Sequence, residues 1–124
     1  GRRLTPAIFG ADGPRNWCYA YANAARSVAV GDDAEALRLY DEAVAERWDP
    51  LKPVELTPFI RAAARTGDWS LAAELTERAG WEPHITHEYF RALWEELMAA
   101  GEPTPERTAA FERVRPLIMA PDGN

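Results

Sequence analysis

Gly31-Asp32-Asp33-Ala34-Glu35-Ala36 and Gly67-Asp68-Trp69-Ser70-Leu71-Ala72 are two copies of one phrase, each set between stretches of helical periodicity. Glycine takes the left-handed conformation that ends one helix, the aspartate after it caps the next, and an alanine five residues past the glycine leaves room for close helix crossing. The phrase therefore reads as the elbow of a helical hairpin. A weaker third copy begins at Gly101, which puts the glycines 36 and then 34 residues apart.

Working outward from the elbows, the apolar spacing predicts six helices. Asn16 caps the first, which runs to about Val30 with Trp17, Tyr21, Ala24, Ala25 and Val28 on its stripe. The second opens at Asp32, where Asp32 and Glu35 match a capping box, and carries Ala36, Leu39, Tyr40 and Ala43 inward before Asp49, Pro50 and Pro53 stop it. A third, over 54–66, turns Leu56, Phe59, Ile60 and Ala63 inward; because Pro58 is tolerated only in a first turn, its α-helical start belongs at Thr57. Asp68 caps the fourth, with Leu71, Ala72, Leu75 and Ala79. The fifth, about 84–99, is expected to bury Tyr89, Phe90, Leu93, Trp94 and Leu97. Thr104-Pro105-Glu106 supplies a cap, a first-turn proline and a carboxylate at the positive helix end, opening a sixth helix to about Met119 with Ala110, Val114 and Leu117 inward.

Residues 1–15 hold Pro6, Gly10, Gly13 and Pro14 without a sustained period and read as a lead-in segment; Leu4, Ile8 and Phe9 are apolar enough to dock it on the body. Residues 16–120 form the repeat domain, and 121–124 are a tail. A period of about 34 residues with a helical hairpin per unit marks a tetratricopeptide-like array, so the expected fold is all-α, a right-handed superhelix of three hairpins. The template's small crossing residue is Ala24 in the first unit, but Ile60 and Trp94 replace it later, and the post-turn pair decays from Ala36 with Tyr40 to Ala72 with Thr76 to Glu106 with Ala110. The bulky replacements are expected to hold helices further apart and to make the angles irregular.

The composition limits function. The 124 residues are 47% hydrophobic and carry a net charge of -6, with five tryptophans and one cysteine. A pI near 4.9 argues against phosphate-backbone binding, so no nucleic-acid partner is expected. One cysteine excludes an internal disulfide and a cysteine-based zinc site. No apolar run approaches the roughly 18 residues of a membrane span, which gives no direct membrane insertion by this chain. There is no signal peptide, and the start at Gly1 without methionine reads as a piece of a longer protein.

The run Ile8-Phe9-Gly10, then Trp17-Cys18-Tyr19-Ala20-Tyr21 and the Gly31-Asp32 turn, resembles a segment near the C-terminus of certain bacterial polytopic membrane proteins. These are similar to glycosyltransferases of the dolichyl-phosphate-mannose protein mannosyltransferase type, in which a soluble helical-repeat domain follows the membrane part. Phe59-Ile60, Gly67-Asp68-Trp69, Leu93-Trp94-Glu95 and Val114-Arg115 extend the likeness over nearly the whole chain. Ala20, Asn23 and Ala24 stand where that group has a further aromatic and a Lys-Ala pair. The resemblance implies a membrane-tethered soluble domain, with the extracytoplasmic side favoured, whose catalytic residues lie elsewhere in the parent protein.

Three candidate sites emerge. His84 and His87, flanked by Glu82 and Glu88, are the only grouping of metal-ligand types, but His-x-x-His-Glu is not the zincin order and nothing supplies a third ligand, so they read as solvated histidines and no metal or other cofactor is expected. Cys18, among core aromatics, reads as a buried structural thiol. Glu42, Glu46, Glu74, Glu77, Glu95 and Glu96 fall at solvent-facing offsets among arginines and read as an ion-paired face rather than catalytic acids. No phosphate loop or nucleophile elbow occurs, so no catalytic residue is assigned and the chain is not expected to be an enzyme.

The better functional prospect is the wall formed by the first helix of each hairpin. Helical offsets place Tyr21, Ala25 and Val28 there, then Arg61, Ala64 and Arg65, then Arg91, Glu95 and Met98. Of these, Tyr21, Arg61, Arg65, Arg91 and Glu95 are the expected peptide-binding residues, with the guanidinium groups gripping an acidic peptide or a carboxylate tail. The expected function is thus a non-catalytic protein or peptide interaction module. The alternatives are a structural domain packing on other domains of its parent chain and a small metal-dependent module built on His84, His87 and Glu88.

Overall fold

The computed structural model describes residues 15–119, the side chains of residues 83–86 excepted, and among them the chain is all-α with no strand. In order come α1 (Trp17–Ala29), α2 (Asp33–Glu46), α3 (Thr57–Arg65), α4 (Trp69–Arg78), α5 (Pro83–Ala100) and α6 (Pro105–Ile118). Short 3₁₀ turns at Pro53–Leu56 and Ala79–Trp81 precede α3 and α5. The expected lead-in contacts of Leu4, Ile8 and Phe9 and the tail at 121–124 lie outside the described residues. Among those described, no helix is long and apolar enough to cross a membrane.

The two glycine elbows are built alike. Gly31 and Gly67 have φ of +85° and +89° with open space where a Cβ would stand, so it is the backbone angle rather than crowding that demands glycine. The amide of Asp32 donates to the Ser27 carbonyl (2.7 Å) and that of Gly31 to Val28 (3.0 Å); Asp68 and Gly67 repeat this onto Ala63 (2.8 Å) and Ala64 (3.1 Å). These are paired Schellman bonds, and they satisfy carbonyls that the helix end leaves open. Each aspartate then caps the next helix, Asp32 accepting from the Glu35 amide and Asp68 from the Leu71 amide, both at 3.2 Å. Only half of the expected capping box forms, because the Glu35 carboxylate binds Arg38 (2.7 Å) instead of turning back to Asp32.

The third elbow differs. Gly101 sits at φ -109° and ψ 177°, an extended conformation open to any residue. The carbonyls at the end of α5 are satisfied by a side chain, with Arg107 Nη1 donating to Met98 (2.5 Å) and Gly101 (2.9 Å). Thr104 caps α6 by accepting from the Arg107 amide at 3.1 Å, with Pro105 first in the helix, as the sequence indicated.

A third Schellman pair, absent from the sequence reading, ends α2. Trp48 donates to the Ala43 carbonyl (2.9 Å) and Arg47 to Val44 (3.2 Å), which forces Arg47 to φ +61°. The bend delivers Trp48 edge-on to Tyr19 at 6.4 Å between ring centres. The following connection is pinned by Glu55, whose Oε1 accepts from Trp17 Nε1 (2.8 Å) and from the Leu51 (2.9 Å) and Lys52 (3.2 Å) amides.

Packing proceeds hairpin by hairpin. Helices α1 with α2, α3 with α4 and α5 with α6 pair, and α3 also rests on both α1 and α2. Phe59 centres the first junction, its ring 5.4 Å from Trp17 and 5.6 Å from Tyr40. At the second junction α4 lies directly on α6, while α4 and α5 meet through the buried Trp94 indole. Trp94 Nε1 donates to Thr76 Oγ1 (2.9 Å), and its ring stands 5.8 Å from that of Trp69. Thr76 occupies the register position that holds Tyr40 in the first unit, so volume lost on α4 is restored from α5.

Several burial expectations need correction. Ala25 is exposed and Leu71 half-buried, where each is expected on its helix's apolar stripe. Cys18 is exposed, because one residue past the buried Trp17 the helix has turned about 100° toward solvent. Tyr89 is 42% exposed, since Phe90, Leu93, Trp94 and Leu97 already complete the inward stripe of α5. In α6 Val114 is fully buried as expected and Ile118 joins it, whereas Leu117 is half-buried over Gly80, where a Cβ would come within 3.2 Å of its Cδ1.

Candidate functional site

The face made by α1, α3 and α5 carries two adjoining grooves, of about 800 Å³ and about 460 Å³, with Arg61 and Arg65 lining both. In the larger, Tyr21 and Val28 of α1 form one wall and Tyr89 of α5 the other, with Val54 of the 3₁₀ turn and Thr57 and Pro58 at the start of α3 also lining it. Val30, 76% exposed, extends the apolar lining to the first elbow. Tyr89 is oriented through its hydroxyl. Thr57 Oγ1 donates its single proton to the Val54 carbonyl (2.7 Å), so the proton in the 3.0 Å contact between Thr57 and Tyr89 comes from the tyrosine.

Both arginines are held from their outer sides. Arg65 Nη2 donates to the Val28 carbonyl (3.0 Å) and Nε to Asp33 Oδ2 (3.2 Å), tying the third helix to the first elbow. Arg61 meets Glu96 of α5 with both terminal nitrogens, at 2.5 and 3.2 Å. These bonds hold the Glu96 carboxyl below its ordinary value near 4.5. Elsewhere the ion pairs are the solvent-facing kind the sequence indicated, with Arg113 on Glu77 at 2.8 Å and Arg38 between Glu35 and Glu42. The Glu77 contact raises the Arg113 guanidinium above its usual value.

Of the five expected peptide-binding residues, Tyr21, Arg61 and Arg65 come together and Arg91 and Glu95 do not line these grooves. On α5 the lining residues Tyr89, Glu96 and Leu97 are seven and eight positions apart and share a face; Arg91 and Glu95, at two and six, point away from it. The arginines also differ from the expected open cluster, because Asp33 and Glu96 neutralise them. Sequence reading missed Glu96, Asp33, Thr57 and Tyr89 as site residues. A repeat register alone does not say which carboxylate crosses from a neighbouring unit.

The His84 side chain lies outside the described residues. Among the described residues no group of three His, Cys, Asp or Glu side chains is placed to hold a metal ion. Comparison with known protein families, with curated proteins and with solved structures returns no match.

Proposed function

We propose that this chain is a non-catalytic peptide-interaction module whose ligand lies in the groove between Tyr21 and Tyr89. The reading is carried by one observation: an open, largely apolar groove of about 800 Å³ on the wall of first helices, with an outward-facing tyrosine fixed by a hydrogen bond. Repeat stacks use this wall for extended segments, because each unit adds side chains along one continuous surface. In this proposal the three hairpins wind as a tetratricopeptide-like right-handed superhelix. The module is the soluble C-terminal part of a bacterial membrane protein of the mannosyltransferase-like type, on the extracytoplasmic side, where it holds a partner segment near the membrane.

The test is selection from a phage-displayed library of random heptapeptides, followed by binding of the enriched sequences to the Tyr89→Ala variant. Enrichment that Tyr89→Ala reduces about tenfold or more supports the groove, in line with the loss of one well-packed aromatic contact. Enriched peptides that bind the variant unchanged contradict it. For the context, membrane spans encoded upstream of Gly1 are the expected finding. A second reading, docking on the parent chain, is favoured by exposed Leu51, just before the first 3₁₀ turn, and exposed Trp81, which ends the second, where the two turns pack together.

A further inference from the structure

Arg61 and Arg65 lie one turn apart on α3 and border the same grooves, yet they are held very differently. Arg65 grips a backbone carbonyl together with Asp33, whose side chain is only 16% exposed. Arg61 has Glu96 alone, a side chain 59% exposed and attached to a different hairpin. An exposed pair of this kind contributes little and exchanges partners readily, whereas a guanidinium tied to main chain is fixed. The geometry of the Arg61 contact is that of a carboxylate receptor, with two parallel donors on two oxygens. It stands at the junction of the two grooves, beside Thr57, Pro58 and Tyr89.

We infer that Glu96 is a built-in competitor for the ligand's own carboxylate: a bound peptide places a bulky apolar residue between Tyr21 and Tyr89 and an acidic side chain on Arg61, displacing Glu96 into solvent. The inference rests on the groove reading above and names the ligand's chemistry within it. The occupant follows from charge. With Glu96 in place the four groups Arg61, Arg65, Asp33 and Glu96 sum to zero, and when Glu96 swings out the groove gains one positive charge toward the ligand. Arg65 stays neutralised and serves as a fixed wall. The acidic residue is thus recognised at one position only, and affinity is held down by the chain itself.

The experiment uses the same heptapeptide library, selected in parallel on the wild-type chain and on Glu96→Gln, with synthetic copies of the enriched sequences measured by fluorescence anisotropy. The glutamine variant is expected to bind acidic sequences about two- to fivefold more tightly, the range set by removing one exposed ion pair. Arg61→Gln is expected to weaken them about tenfold or more, and changing the peptide's Glu or Asp to its amide is expected to erase the gain from Glu96→Gln. Unchanged or weaker binding by Glu96→Gln overturns the exchange and makes Glu96 a tie between α3 and α5. Enriched sequences that need Tyr89 but carry no acidic position overturn the exchange and leave the groove standing. Failure of any enrichment to depend on Tyr89 removes both.

Discussion

The first two elbows and the third solve one problem by different means. At Gly31 and Gly67 the main chain does the work, closing the helix end with its own amides at positive φ. At Gly101 the backbone stays extended and a guanidinium reaches back from α6. A main-chain solution fixes the geometry of the hairpin within its own residues, while a side-chain solution makes the α5–α6 pair depend on what Arg107 and the buried Trp94 hold in place. The third hairpin is therefore closed by the reach of one side chain, and the first two are each closed by the same main-chain turn.

The contrast is broken most severely at Trp94. Trp94→Ala is expected to lower the unfolding free energy by about 3–5 kcal/mol, the usual range for deleting a large buried aromatic, as measured by urea denaturation. Equal loss on truncating any exposed α5 residue, such as Glu95, contradicts the special place given to the indole. The elbows themselves come next. Left-handed backbone costs a non-glycine residue about 1–2 kcal/mol, and alanine recovers about 0.4–1 kcal/mol from a less mobile unfolded chain. Gly31→Ala and Gly67→Ala are thus each expected to destabilise by about 0.5–1.5 kcal/mol. Gly101→Ala, at negative φ with the nearest atom 3.9 Å from a Cβ, is expected to be neutral or slightly stabilising. Similar losses at all three glycines in thermal unfolding erase the distinction.

Arg47 sharpens the comparison in the other direction, because it adopts at φ +61° the conformation that glycine supplies at the elbows. Relief of the left-handed strain favours the variant and the more mobile unfolded chain opposes it, so Arg47→Gly is expected to stabilise by a net of about 0.5 kcal/mol. The smallest effect is the pH dependence of the Arg61–Glu96 link between the second and third hairpins. Since the Glu96 carboxyl is lowered in the folded chain, its contribution is present above about pH 4.5 and is lost as pH falls through the folded value. The expected change is under about 1 kcal/mol for so exposed a pair, and Glu96→Gln removes that part of the acid sensitivity.

How much of this was legible follows from where each interaction is encoded. Helix ends, caps and core stripes are local, so Asn16, Asp32, Asp68, Thr104 and the shift of the α-helical start to Thr57 could all be read from neighbouring residues. The Arg47 turn was not, since nothing in an arginine signals positive φ and the reason for it is Trp48 packing on a different helix. In sequence Trp94 reads as a bulky residue at a crossing position and Thr76 as a decayed repeat residue, and the bond that makes them one feature crosses between helices that no repeat register aligns. At the site, Tyr21, Arg61 and Arg65 followed from helical offset. Arg91 and Glu95 failed because the offset of α5 relative to α3 is set by the Ala79–Trp81 turn and by Trp94, neither of which a repeat length encodes.

Amide chemical shifts of the labelled chain, recorded as a groove-selected heptapeptide is added, test the central claim most directly. The account predicts that the largest changes fall at Tyr21, Val28, Thr57, Arg61 and Tyr89, on three different hairpins and one face. Changes centred instead on Leu51 and Trp81, or spread without regard to that face, contradict it.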